Sequence, residues 1–526
     1  MSIESALRNA GGHGQRFALG PTTLWPGHKS IYSQFASVLS TMSTSSAPSE
    51  SLNNDVSKMA NDPASIVKKL RDTFDDGVLE TVEKRKKELQ AFERMVVENA
   101  DAFADAMWKD LHKPPAESHA HEIDFLVGEI QQTLSNLKCW TAPTKVTRYV
   151  LQALDSAYIL KEPLGVVLVI GAWNFPVRLL LSPVVGAIAA GNTVVIKPSE
   201  ISSHTSHLVA LLVPEYLSEG VATVVEGGPA ETTELLKQRF DHIFYTGNPA
   251  VGKIVMRAAA EHLTPVTLEL GGKNPVIIDE TADLATTARR LVWGKFTNAG
   301  QVCVACDYVL NLHPDKEAFM KYVAEAITEF YGIVPKDSPD FGRIVSKRHF
   351  DRLIALLSAT SGTVAIGGNS DESTLFVGPT VVTKVSEDDA LMKEELFGPI
   401  MPVIDLETLD QAISFIRKRE KPLALYVFSN KTKNVDLVTS RTSSGAVVVN
   451  DLIMHMSLET LPFGGVGQSG MGKYHGKYTF DTFTHEKSVL NRSSGFEKIL
   501  FMRYPPYTES KLAWARRFLS KWRVPF

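Results

Sequence analysis

The chain has 526 residues, enough for several domains with large cores. A net charge of −4, a sequence pI of about 6.4, 44% hydrophobic and 22% charged residues argue against a nucleic-acid partner and fit a globular enzyme. The only cysteines are Cys139, Cys303 and Cys306, which excludes a disulfide scaffold and fits a reducing compartment.

Residues 1–56 are Ser-rich, with Arg8, Arg16 and Lys29 against Glu4 up to Ser49, and Glu50 and Asp55 closing the segment. They read as a disordered or targeting extension, partly like a mitochondrial transit peptide but without an amphipathic Arg face. Residues 56–110 are helical in pattern, with the charged run Glu83 to Lys87 as a solvated face. From Gly165 the texture changes to VVLVIG (166–171), TVVIK (193–197), ATVVEG (222–227) and HIFYTG (242–247). Continuous apolar runs of this kind predict a parallel sheet covered on both faces, with helices between the strands. The stretch from Val166 to Ile196 is interrupted by Asn174, Pro176, Arg178, Pro183 and Asn192, so it reads as buried α/β core rather than a membrane span. A second α/β block follows from about Gly271 to Gly467, with VIID, YVLNL, TVVTKV, PVIDL, ALYVFS and AVVVN as strands. From Thr508, Leu512, Ala515, Leu519 and Trp522 recur at helical spacing among Lys511, Arg516, Arg517, Lys521 and Arg523. This predicts a basic amphipathic helix that either lies on an anionic membrane or covers part of the protein itself.

The chemistry concentrates between Val266 and Cys306. Glu269 ends an apolar run and precedes Gly271-Gly272, and Cys303 follows Gly300 in a small-residue turn. A thiol and a carboxylate on glycine-bounded turns suit thioester catalysis, in which the thiolate attacks a carbonyl and the carboxylate activates water. Cys303 and Cys306 spell C-x-x-C, but zinc would need two further ligands, so no metal is expected. Three glycine motifs compete for a nucleotide. Gly465-x-Gly467-x-x-Gly470 follows Pro462-Phe463 rather than a strand, and reads as a loop. Gly247-Asn248-Pro249-Ala250-Val251-Gly252-Lys253 follows a strand and opens a helix, so its amides suit a pyrophosphate. It is nearly a P-loop, with Val276 to Glu280 like a Walker B strand, and a nucleotide hydrolase is the alternative of another class. Ile254, however, stands where the Mg²⁺-binding hydroxyl is required. GAWNFP (171–176) and KPSE (197–200) lie just past strand ends, where open α/β sheets bind ligands. Asn174 offers a side-chain N–H there, or is simply a turn-former beside Pro176. Lys197 and Glu200 suit a ribose, and a carboxylate at that point repels a 2′-phosphate, favouring NAD over NADP.

LELGGKNP, NAGQVC, EELFGP and PFGGVGQSGMG, in this order, resemble the aldehyde dehydrogenase superfamily over about residues 60–490. RYVLQ, FGRIVSKRHF, KPLALYVFS and NDLIMH are similar to its class 3 branch, which includes fatty aldehyde dehydrogenases. The resemblance implies an α/β fold with a parallel-sheet NAD-binding domain (57–143 and 162–269), an α/β catalytic domain (270–466), and a small bridging β-sheet (144–161 and 467–493), followed by the tail 494–526. It implies oxidation of an aldehyde to the carboxylic acid with NAD, or NADP as the alternative, by a homodimer. The aldehyde expected is long-chain or apolar, such as a fatty or apocarotenoid aldehyde, with small aromatic or aliphatic aldehydes as the alternative. Cys303 would be the nucleophile, Glu269 the general base, and Asn174 with the Cys303 N–H the oxyanion hole. Lys197 and Glu200 would bind the adenosine ribose, and Glu395 and Phe397 would position the nicotinamide side. Trp173, Ser199, Gly247, Asn248, Gly252 and Leu270 would complete the cofactor site. Asn248-Pro249 departs from the family pattern, which has Ser and a small residue, and Cys306 stands where class 3 members commonly have Pro. The expected location is cytoplasmic, with peripheral membrane contact through the tail, or mitochondrial if residues 1–56 are a transit peptide.

Overall fold

Alternate residues of the run Val166–Ile170 face two different cores. Val167 and Val169 pack into one cluster, while Val166, Leu168 and Ile170 pack into another, and none is more than 7% exposed. A strand covered on both faces has no polar side to present, which is why its sequence does not alternate. The computed structural model describes residues 62–519 apart from 150, 151, 153, 154, 493 and 496. The extension 1–56, and Lys521, Trp522 and Arg523 of the tail, lie outside the described residues.

Strands are numbered along the chain. β1 (Thr144–Lys145), β2 (Ser156–Pro163) and β18 (Thr484–Asn491) form a three-stranded antiparallel sheet. A six-stranded sheet contains β3 (Val166–Ile170), β4 (Thr193–Lys197), β5 (Ala222–Val224), β6 (His242–Gly247), β7 (Val266–Leu270) and β17 (Gly470–Met471), in the order β17-β7-β6-β3-β4-β5. All of its pairings are parallel except the one that adds β17 to β7. A seven-stranded sheet follows the order β10-β13-β14-β9-β8-β15-β16, with β8 (Pro275–Ile278), β9 (Tyr308–Asn311), β10 (Thr363–Ile366), β13 (Thr380–Thr383), β14 (Ile400–Asp405), β15 (Ala424–Phe428) and β16 (Ala446–Val449). Only β10 runs antiparallel in it. β11 (Ser370–Asp371) and β12 (Phe376–Val377) make a small separate hairpin.

The N-terminal helices Pro63–Asp75, Val82–Glu98 and Ala100–Leu111 begin where their sequence provides caps. Asp62 accepts from the Ser65 amide ahead of Pro63, and Thr81 accepts from the Lys84 amide. The charged run Glu83 to Lys87 needs one correction as a solvated face. Arg85 is 7% exposed and donates to the carbonyls of Leu79 and Ala189, tying its helix to the end of helix Arg178–Ala190.

The six-stranded sheet reverses its winding between β3 and β6, because β3 takes β4 on one side and β6 on the other. That is a topological switch point, and the loops after β3, β6 and β7 open there. The nucleotide-hydrolase alternative fails on the same topology. The Gly247–Gly252 turn follows β6, whereas the Walker B-like strand is β8 of the other sheet. Its Asp279 is occupied by Ser429, Thr281 and Asn434, and so holds a turn rather than a metal.

Candidate active site

Register brings the cofactor-like turn beside the acid. On β6 and β7, Thr246 is paired with Glu269 and Gly247 with Leu270. Glu269 is 3% exposed, and neither carboxylate oxygen has a hydrogen-bond partner among the described residues. Burial alone holds its carboxyl well above the ordinary carboxylate range. Glycine is needed just beyond it. A Cβ on Gly271 would stand 2.1 Å from Oε2 of Glu395, so the turn lets a second, partly buried carboxylate approach. Burial also pushes Glu395 up to about 8, with Asp307 adding to the effect.

Cys303 is presented by a turn in which Asn298, Ala299 and Gly300 all have positive φ, at 51°, 52° and 75°. Two non-glycine residues in that region cost on the order of 1–2 kcal/mol each, which the surroundings must offset. They do so with a dense set of main-chain anchors. Asn274 donates to the carbonyls of Cys303 (2.7 Å) and Ala305 (3.0 Å), and Tyr426 to that of Val304 (2.5 Å). Gln301 donates to Arg343 and Asn298 and accepts from Val345. Burial pushes the Cys303 thiol up to about 12, with Glu395 and Glu269 adding to the rise and Arg178 opposing it. Cys306 is fully buried and its thiol donates to the Tyr308 carbonyl, so it sits in the core behind the turn.

Asn174 follows β3 and is 2% exposed. One of its two amide hydrogens goes to the Gln301 carbonyl at 2.9 Å, and its own carbonyl accepts from Asn298 and Lys113 at 2.9 Å each. The Cys303 turn and the Asn174 loop are therefore hydrogen-bonded to each other. The sulfur opens into a narrow cavity walled by Phe175, Leu179, Met456, Phe463 and Tyr474, with Arg178 and His475 among its lining. Sequence reasoning missed these residues, apart from listing Arg178 as an interruption of an apolar run. A charge in a helix that is otherwise almost wholly apolar is costly, and that was the signal available.

The cofactor candidates lie along the sheet's C-terminal edge. Lys197 ends β4 at 1% exposure, donating to the Pro198 carbonyl at 2.5 Å with Glu200 at 4.0 Å. Ser199 accepts from the Ile201 amide and shapes the same turn. Asn248 caps helix Pro249–Ala260, accepting from Val251, and Pro249 fills the first helical position. The departure at Asn248-Pro249 thus keeps the helix N-terminus intact. Gly252 is buried against Leu270, where a Cβ would come within 3.0 Å of the Leu270 side chain. Phe397 has φ 49° and meets Trp173 edge-on at 5.3 Å, while Trp173 also contacts His349, which sequence reasoning missed. Backbone close to a helix N-terminus after β6, and a buried ammonium at the end of β4 on the other side of β3, fit a dinucleotide. The GGVGQSG stretch does not: Gly467–Ser469 is a single turn leading into β17.

A dinucleotide-type sheet whose strand ends converge on a thiol and an unpaired carboxylate defines a class of enzyme that can act on carbonyl groups through cysteine. The model of the aldehyde dehydrogenase family matches residues 50–489. Human aldehyde dehydrogenase family 3 member B1 is 50% identical over 85% of this chain and 95% of its own length. Rat aldehyde dehydrogenase family 3 member A2 is 48% identical over 86% and 94%. Among solved structures, the substrate-bound state of Staphylococcus aureus AldH is similar with a TM-score of 0.84 and 40% identity, covering 86% of this chain and 99% of that one. A Mycobacterium tuberculosis aldehyde dehydrogenase complexed with NAD+ is similar with a TM-score of 0.75 and 27% identity over 82% and 91%. The chain belongs to the aldehyde dehydrogenase family. Its reaction is the NAD-dependent oxidation of an aldehyde to the carboxylic acid.

Proposed function

We propose that the substrate is a long-chain or otherwise apolar aldehyde, and that Cys303 carries it as a thioester. The observation that carries this reading is the lining of the narrow Cys303 cavity, where Phe175, Leu179, Met456, Phe463 and Tyr474 present apolar surface beside the sulfur and so favour an apolar substituent on the carbonyl. The Cys303 sulfur adds to the carbonyl carbon. The negative charge moves to the carbonyl oxygen, where the Asn174 amide and the Cys303 N–H receive it. NAD, when bound, supplies the hydride acceptor that takes this adduct to the thioester. Water then attacks the thioester, Glu269 accepts its proton, and the carbon–sulfur bond breaks to release the acid and restore the thiolate.

The dinucleotide would be held by Lys197, Ser199 and Glu200 at its adenosine ribose. Gly247, Asn248 and Gly252 would hold the pyrophosphate, and Trp173, Leu270, Glu395 and Phe397 the nicotinamide side. Glu200 also disfavours a 2′-phosphate. Glu200→Gln is expected to raise kcat/KM with NADP relative to NAD, as read from initial rates with each cofactor. An unchanged ratio would remove Glu200 from that role.

The active unit is proposed to be a homodimer. β16 and β18 are both outer strands, and Val449 on β16 is 41% exposed, so each edge offers a template for a second chain. Peripheral membrane contact is assigned to the C-terminal helix Glu509–Leu519. Leu512 and Trp514 on it are 43% and 44% exposed, and Phe501 and Tyr507 before it are 42% and 76% exposed. Among the described residues no helix is long and apolar enough to cross a membrane.

Two measurements test this reading. With aldehydes of increasing length, kcat/KM is expected to climb; a preference for small aromatic aldehydes would overturn the substrate assignment. Deleting residues 508–526 is expected to abolish sedimentation with anionic liposomes while leaving a short aldehyde unaffected. Lys511, Arg516, Arg517, Lys521 and Arg523 would each add up to about 1 kcal/mol of attraction, so binding should weaken in salt. If the full-length protein does not sediment at low salt, the helix is a cover and not an anchor.

A further inference from the structure

The cation in the Cys303 cavity has no role in the mechanism above. Arg178 begins the helix Arg178–Ala190, in which every residue is buried. Its guanidinium lies flat on the Phe125 ring at 3.4 Å and donates to the carbonyls of Met456 (2.7 Å) and His121 (3.5 Å). Its main-chain N–H donates to Glu122 at 3.2 Å, and that carboxylate is paired with Lys113 in a fully buried ion pair. Among the described residues, no carboxylate lies within ion-pairing distance of the guanidinium. Side chain and backbone are thus both fixed, and the charge is left without a counter-ion in the cavity that also holds the Cys303 sulfur.

We propose that Arg178 is the electrostatic partner of Cys303, a positioning residue that stabilises negative charge on the sulfur before the aldehyde arrives. This rests on Cys303 being the nucleophile. A thiolate is the reactive form, and in a low-dielectric cavity it needs a nearby positive charge. The other titratable groups around the sulfur are Glu269, Glu395, Tyr426, Tyr474 and His475, none of them cationic, since burial holds His475 neutral. Around Arg178 itself, His121, His455 and His475 are held low by burial and are neutral at pH 7. Burial raises both Glu129 and Glu459, which weakens them as competing counter-ions.

The test is the pH dependence of Cys303 alkylation by iodoacetamide in cofactor-free enzyme, read as the mass of the peptide bearing Cys303. In Arg178→Met and Arg178→Gln the alkylation rate at a fixed alkaline pH is expected to fall by about ten- to a hundredfold, equivalent to a midpoint one to two pH units higher, and Arg178→Lys should stay near wild type. A purely structural role would lower the melting temperature and leave the midpoint in place, and unchanged midpoints in folded variants would overturn the proposal. Should the neutral variants fail to fold, wild-type enzyme carries the test. The rate ratio of iodoacetate to iodoacetamide, compared with that of a small free thiol, is expected to be raised by the cation, and a ratio lowered about tenfold would overturn the proposal. If alkylation of Cys303 leaves aldehyde oxidation intact, the nucleophile assignment fails, and that result is separate from the midpoint.

Discussion

Cys303→Ala is expected to abolish aldehyde oxidation while NAD binding survives. In the proposed mechanism the sulfur forms and breaks the only covalent bond to the substrate carbon, and no other thiol is placed to replace it. Cys306 is buried in the core, bonded to the Tyr308 carbonyl, and Cys139 is surface-exposed on the helix Asp124–Thr141. The cofactor candidates sit at the ends of β4 and β6 and on the segment Glu395 to Phe397, so removing one sulfur leaves them in place. The loss expected in kcat exceeds about a hundredfold, or more than roughly 2.7 kcal/mol of barrier. NAD titration followed by intrinsic fluorescence should give an unchanged Kd. Residual activity above about a hundredth of wild type would remove Cys303 from the role of nucleophile.

Glu269→Gln is expected to separate the two halves of the reaction. Acyl transfer to sulfur does not need this carboxylate, whereas water attack does. A single-turnover burst of NADH should persist, while the steady-state rate falls by about 10²-fold, the usual scale of general-base catalysis. Equal loss of burst and steady state would contradict the assignment. The same substitution has a pH signature in stability. Burial raises the folded-state pKa of Glu269 above its unfolded value, so between those two values the native protein binds the extra proton. The stability associated with the neutral carboxyl is full below the unfolded pKa and is lost as pH rises through the folded one. Glutamine cannot ionise. The variant should therefore melt close to wild type near pH 4 to 5, roughly the unfolded carboxylate pKa, and above it in alkaline buffer. A melting difference that stays constant with pH would mean that Glu269 is already ionised in the folded enzyme.

The inner strands of both large sheets were legible because they are buried on two faces and so appear as unbroken apolar runs, and the half-buried outer strands β5 and β16 were legible from their β-branched runs. The antiparallel additions were not: β17 is two residues long, and β10 is largely exposed, so neither carries that signature. The pattern also hid Arg85, since a charge buried by donating to two distant carbonyls looks, in sequence, like its solvated neighbours.

By itself the sequence determined the family, through four motifs in order, and singled out Cys303, Glu269 and Asn174 as the candidates for its chemistry. It determined the helix start at Asn248-Pro249, because capping depends on neighbours within four residues. Only the tertiary structure decided what surrounds the thiol. Phe175, Leu179, Met456, Phe463 and Tyr474 come together from segments nearly 300 positions apart, and no local rule relates residues at such separations. It likewise decided that Glu269 is left without a hydrogen-bond partner among the described residues and that Arg178 and Cys303 line one cavity. Burial and charge pairing depend on what packs against a side chain, and packing is set by the topology of the sheets rather than by the order of residues along one strand.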